Sequence, residues 1–138
     1  AAVRGADIVV TASSSRTPVF DGRWLRPGTH INNIGSHSPD ARELDTETVR
    51  RSKYVADHRE ASLAEAGDLL IPIKEGAVTA DHIHASLGEI VIGAKPGRTS
   101  PEEITLFKSC GLAVQDVATA KAVYAAARAR GIGVEVEL

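Results

Sequence analysis

The sequence predicts an α/β domain built on a parallel sheet. Three observations carry that prediction. Ile8 to Thr11, Thr29 to Ile34, Tyr54 to Asp57 and Ile104 to Lys108 are short runs of strand length, rich in apolar or β-branched residues. Between them lie segments with helix start and stop signals. Each run gives way to a loop of small or polar residues, as in sheets whose strands are joined by right-handed crossovers.

Taken in order, Ile8 to Thr11 follows Gly5-Ala6-Asp7 and ends in Ala12-Ser13-Ser14-Ser15. It reads as a buried parallel strand feeding a loop. Arg23 to Gly28 carries turn signals, with Pro27-Gly28 as a tight turn. Thr29 to Ile34 is the second strand, ending at Gly35. Asp45 caps a helix from Thr46 to about Ser52, with Glu47 in its first turn. Tyr54 to Asp57 is the third strand, and Glu60 to Ala66 is a helix that Gly67 stops. Thr79 is an N-cap for a helix through Leu87. Ser100-Pro101-Glu102-Glu103 reads as a single helical turn before the strand from Ile104. Leu112 to Arg130 is the longest helix, with Val114, Val117, Ala120 or Lys121, and Tyr124 at helical spacing and Gly131 as its stop. Val134 and Val136 alternate with Glu135 and Glu137, the pattern of a short terminal strand.

The 138 residues suffice for one domain with a core. Sixteen Lys and Arg against 18 Asp and Glu leave a net charge of -2, which offers no footprint for nucleic acid or an anionic membrane. Every apolar run is far too short to span a bilayer. No stretch near Ala1 has the make-up of a signal peptide, so a cytoplasmic setting is expected. A single cysteine, Cys110, excludes an intrachain disulfide and a cysteine-based zinc cluster. The chain contains no methionine and opens in the middle of an α/β pattern. Removal of an initiator methionine explains the first fact but not the absence of the first half of a fold.

In parallel sheets ligands bind at the carboxyl ends of strands. The loops after Val10, Ile34, Asp57 and Lys108 are therefore where chemistry is expected. Thr11-Ala12-Ser13-Ser14-Ser15 lets a sugar or phosphate approach the backbone, or is an ordinary strand-end loop. In Asn32-Asn33-Ile34-Gly35-Ser36-His37, Gly35 permits close backbone approach or a positive φ. His37 brings there the side-chain type that ordinarily titrates near neutral pH. Its plainer reading is a histidine hydrogen-bonded to a loop carbonyl. Ser109-Cys110-Gly111 precedes the long helix, whose free N-terminus suits an anion or a carbonyl. Cys110 has no visible base and reads as an inert thiol. His82-Ile83-His84 invites a metal, but residues two apart on a helix diverge, and no metal site is expected. His30 and His58 stand alone. Neither G-x-G-x-x-G nor a P-loop occurs. The layout is a partial Rossmann-type domain lacking the first, glycine-rich βαβ half.

At these loops the chain resembles the ornithine cyclodeaminase/mu-crystallin family. The likeness rests on Gly5-Ala6-Asp7-Ile8-Val9-Val10-Thr11-Ala12, on Ile34-Gly35-Ser36-His37-Ser38-Pro39-Asp40-Ala41-Arg42-Glu43-Leu44-Asp45 and on Leu87-Gly88-Glu89 to Gly93 with Pro96-Gly97-Arg98. It continues through Glu102 to Ser109 and Gly111 to Asp116. The resemblance implies an NAD(P)-binding domain, with NAD or NADP as cofactor in the intact enzyme. It implies residues 1–111 as the second part of that domain. Residues 112–138 would be the helix and strand that return to a substrate and dimerisation domain. It implies amino-acid metabolism, with an amino acid or cyclic imine as substrate, hydride transfer or the related lyase chemistry, and a homodimer or association with a missing N-terminal part. Thr11, Ile34, Gly35, Ser36 and Ser109 fall on cofactor-contacting positions, and Cys110 on a substrate-contacting one. His37 takes the place of the cyclodeaminase's acid/base aspartate, and Ala41 that of a cofactor-contacting lysine. Both departures argue against cyclodeaminase activity proper. The alternatives are a mu-crystallin-like binder of NADP or a small ligand, and one half of a split gene product. The chain alone is expected to be inactive.

Overall fold

The structure is a computed structural model and describes residues 2–136. Its centre is a five-stranded sheet in which every pairing is parallel. The strands are β1 (Ile8–Thr11), β2 (His30–Asn33), β3 (Lys53–Ala56), β4 (Ile83–Ser86) and β5 (Thr105–Lys108), in the order β1-β2-β5-β3-β4. The helices are α1 (Thr46–Arg51), α2 (Arg59–Glu65), α3 (Gly67–Lys74), α4 (Leu87–Val91) and α5 (Ala113–Arg130).

Side chains alternate across each strand, and the register sorts them into two faces. Val9, Ile31, Leu106, Tyr54 and Ile83 lie side by side on one face, all buried. Leu44, Val49 and Leu69 pack onto them and complete the core. Each fully buried Leu or Ile contributes about 1.5–3 kcal/mol. The other face carries Ile8 and Val10, both more than 60% exposed, and a groove of about 520 Å³ roofed by Leu87 and Ile90. The expectation of a buried first strand is thus half wrong. β1 is a sheet edge, and one of its two faces is uncovered.

The predicted cap of α1 is present. Asp45 accepts from Thr48 N at 2.8 Å and also from Gly22 N at 2.8 Å. It thereby ties the helix start to a 3₁₀ turn at Gly22–Trp24. Four other expectations are corrected. α2 ends at Glu65 without a left-handed cap, and Gly67 begins α3 instead of stopping a helix; it is packed so closely on the carbonyls of Ala41 and Ser38 that a Cβ would collide with them. The segment after Thr79 is a 3₁₀ turn, Ala80–His82, followed by β4, not a helix through Leu87. Pairing of Ile83 with Tyr54 and of Ala85 with Val55 outweighs the helix signal. Ser100 to Glu103 is a hydrogen-bonded turn rather than a helical one, with the Glu103 carboxylate accepting from Thr99 N at 2.9 Å. Val134–Val136 is exposed and unpaired, and the rest of that expected strand, Glu137, lies outside the described residues.

α5 is alanine-rich, as suits a helix, and ends at Gly131 with φ 64°. None of its residues is buried, and Val114, Val117 and Tyr124 stand in solvent.

Candidate functional site

The register fixes where the loops emerge. Thr11, Asn33, Lys108, Ala56 and Ser86 form one row across the carboxyl end of the sheet. The loops after β1, β2, β3 and β5 therefore start side by side. Four buried charged side chains in three clusters then lock them together.

The first is Glu43, in the irregular stretch before α1 and fully buried. Its Oε1 accepts from Ser13 N at 2.5 Å and Ser13 Oγ at 2.6 Å. Its Oε2 accepts from Gly35 N at 2.9 Å and Asn33 Nδ2 at 3.0 Å. Burial opposes its ionisation, but the hydrogen bonds from Ser13, Thr11 and Gly35 outweigh it and hold the carboxyl below the usual glutamate range. Gly35 is required for close approach rather than for positive φ. A Cβ there would strike the Ser13 carbonyl and the Glu43 carboxylate.

The second is Lys108, the last residue of β5, paired with Asp68 in the first turn of α3. Both side chains are fully buried, and Nζ lies 3.3 Å from Oδ2. Nζ also donates to the Ser36 carbonyl at 2.6 Å. Asp68 Oδ1 accepts from Glu43 N at 2.7 Å and Leu44 N at 2.8 Å. Ser36 Oγ donates to the Ala41 carbonyl at 2.6 Å. The segment from Gly35 to Leu44 is thus held from both ends.

The third is Asp57, just after β3 and 8% exposed. Its Oδ2 accepts from Ser109 Oγ at 3.1 Å, Cys110 N at 2.8 Å and Gly111 N at 2.9 Å. Ser109 N donates to the Asn33 carbonyl at 3.0 Å. This narrows the expectation of a place for an anion ahead of the long helix: the chain's own carboxylate takes the donors of residues 109–111, while α5 has no side-chain cap. Cys110 is half-buried, and burial pushes its thiol pKa up, which disfavours the reactive thiolate.

The structure brings Thr11, Ile34, Gly35, Ser36 and Ser109 onto one hydrogen-bonded floor, with Ile34 N donating to Thr11 O at 2.8 Å. Cys110 adjoins it. His37 follows Ser36, exposed, with no side-chain hydrogen bond among the described residues. Three other histidines make side-chain hydrogen bonds: His30 Nδ1 meets Thr105 Oγ1 at 2.8 Å, His82 Nε2 meets Val49 O at 2.8 Å and His84 Nε2 meets Pro96 O at 2.9 Å; His58 is exposed beside Glu60. Among the described residues no group of three or more His, Cys, Asp or Glu is arranged to hold a metal ion. None of their helices is long and apolar enough to cross a membrane. Sequence reasoning missed Glu43, Asp57, Asp68 and Lys108. Only Asp57 and Lys108, at the ends of β3 and β5, carried a hint in their position.

Residues 1–131 match the family model described as the ornithine cyclodeaminase/mu-crystallin family. The chain belongs to that family. Within the family, a Delta(1)-pyrroline-2-carboxylate reductase of Bacillus cereus is 47% identical over 137 residues, 99% of this chain and 42% of the relative. The structure of Thermococcus litoralis Delta(1)-pyrroline-2-carboxylate reductase, in complex with NADH and L-proline, superposes with a TM-score of 0.91 at 52% identity. It covers 98% of this chain and 42% of that one. An archaeal alanine dehydrogenase dimer with bound NAD gives 0.83 at 41% identity, over 96% of this chain and 41% of that one. The chain spans about two fifths of the length of these relatives.

Proposed function

We propose that this chain forms the second part of the NAD(P)-binding domain of a reductase or dehydrogenase that acts on an amino acid or its cyclic imine. The observation that carries the reading is the locked floor at the carboxyl end of a parallel sheet, where such sheets take ligands. Ile34 is exposed on it, Gly35 packs closely against Ser13 and Glu43 beneath it, and the half-buried Ser109 hydroxyl faces the same loops. That floor fits the nicotinamide end of a dinucleotide. NADH and L-proline in one neighbour, and NAD in another, are consistent with it.

In this reading Thr11, Ile34, Gly35, Ser36 and Ser109 line the cofactor and Cys110 the substrate. The cofactor supplies hydride chemistry at the substrate α-carbon. His37, exposed beside the floor, moves the proton. Residues 1–111 belong to the cofactor domain, and 112–138 lead to a substrate and dimerisation domain. A cytoplasmic setting goes with this. A change in nicotinamide absorbance on adding a cyclic imine to the intact enzyme tests the reading. Binding without any such change favours a mu-crystallin-like binder instead.

Two expected results concern the 138 residues alone. They contain no glycine-rich turn for a pyrophosphate. Calorimetry with NADH should therefore show no tight binding, and an affinity of about micromolar strength, roughly 8 kcal/mol, would contradict this. Val114, Val117 and Tyr124 on α5 are more than 60% exposed, and such surfaces seek cover. Sedimentation should show association that grows with concentration; a monomer throughout would count against α5 as a docking helix.

A further inference from the structure

We propose that Asp57 fixes the polarity of the Ser109 hydroxyl, so that this loop takes a hydrogen-bond donor, the carboxamide NH₂ of nicotinamide. The inference rests on the cofactor reading above and names which part of the cofactor Ser109 meets. A serine hydroxyl has one proton and two lone pairs. An ionised carboxylate only accepts, so across the 3.1 Å contact the Ser109 proton is committed to Asp57 Oδ2. The same oxygen takes the N–H groups of Cys110 and Gly111, and Asn33 O takes that of Ser109. The other carboxylate oxygen of Asp57 takes His58 N at 2.7 Å. The carboxylate is thus held from both sides and has no freedom to turn away. The backbone N–H groups of residues 109–111 and the Ser109 hydroxyl proton are engaged, and the Ser109 lone pairs remain. A hydroxyl that donates to a carboxylate is also the stronger acceptor. A ligand carbonyl would meet an acceptor here; an amide NH₂ would meet a partner. Asp57 is a positioning residue, and Ser109 makes the contact.

The test uses the isotope-labelled chain and two probes: nicotinamide mononucleotide, and its 3-acetylpyridine counterpart, which keeps the carbonyl and replaces NH₂ by methyl. Amide shifts at Ser109 to Gly111 report binding. The wild-type chain should bind the nicotinamide probe about threefold to tenfold more tightly, the worth of one hydrogen bond. Ser109→Ala should abolish the preference and Ser109→Thr should keep it. Asp57→Leu removes the acceptor that holds the Ser109 proton. It should erase the preference while Ser109 is intact, which a merely structural role does not predict. If Asp57→Leu does not fold, the two Ser109 variants decide. Equal affinity of the wild type for both probes overturns the inference, as does a preference that survives Ser109→Ala. So do Ser109-dependent shifts with L-proline in place of the mononucleotide, which would give the acceptor to the substrate's N–H. Binding of neither probe by a folded chain even at about millimolar concentration, roughly 4 kcal/mol, overturns the cofactor reading itself.

Discussion

Lys108→Met should destabilise the chain by about 3–5 kcal/mol, the usual cost of removing one partner from a buried ion pair. Lys108 and Asp68 are both fully buried, so no water reaches the charge left behind. The Ser36 carbonyl loses its donor in the same stroke. Against a typical domain stability of about 5–15 kcal/mol, that is a large share. Urea denaturation of wild type and variant measures it. The double variant Lys108→Met with Asp68→Asn should recover part of the loss, because the isolated charge is gone. A loss under about 1 kcal/mol, or no coupling between the two sites, would show that the pair is not the brace described here.

This network also marks the boundary of what the sequence discloses. The strands β1, β2, β3 and β5 were legible because apolar or β-branched runs break at small and polar residues, as at Thr11 and Gly35. α1 was legible from Asp45, whose cap forms as its residue type requires. β4 was not, because Ile83–Ser86 contains His84 and follows the helix-start signal at Thr79, and only its neighbour β3 makes it a strand. α3 was hidden behind Gly67 and Pro72, two residues that argue against a helix unless close packing demands them. The site divides in the same way. The residues of the floor were identifiable through the family resemblance. The charges that hold it were not, since Glu43, Asp57, Asp68 and Lys108 read in sequence as ordinary solvated side chains. Their partners lie many residues away, as Lys108 from Ser36 and Asp57 from Ser109, and nothing in local spacing encodes such pairs.

His37→Ala in the intact enzyme should lower turnover about 10²- to 10⁴-fold, the contribution of a positioned proton-transfer group. The side chain is exposed and follows Ser36, whose carbonyl is pinned by Lys108. The backbone that carries His37 is therefore fixed while its ring is free to meet a substrate. Because the ring is exposed, the substitution should change folding stability by no more than about 0.5 kcal/mol. Cofactor affinity should also hold, since Glu43 and Lys108 keep Gly35 and Ser36 in place without His37. His37→Asp should restore a carboxylate yet fall short of cyclodeaminase chemistry. Ala41 is buried, and its carbonyl takes the Ser36 hydroxyl, so that position offers no cation. If His37 were only structural, the alanine variant would lose melting temperature and keep its activity per folded molecule. Melting temperature and single-turnover hydride transfer, measured on one preparation, separate the two. Hydride transfer by the alanine variant equal to wild type at every pH between about 5 and 8 would remove His37 from the mechanism.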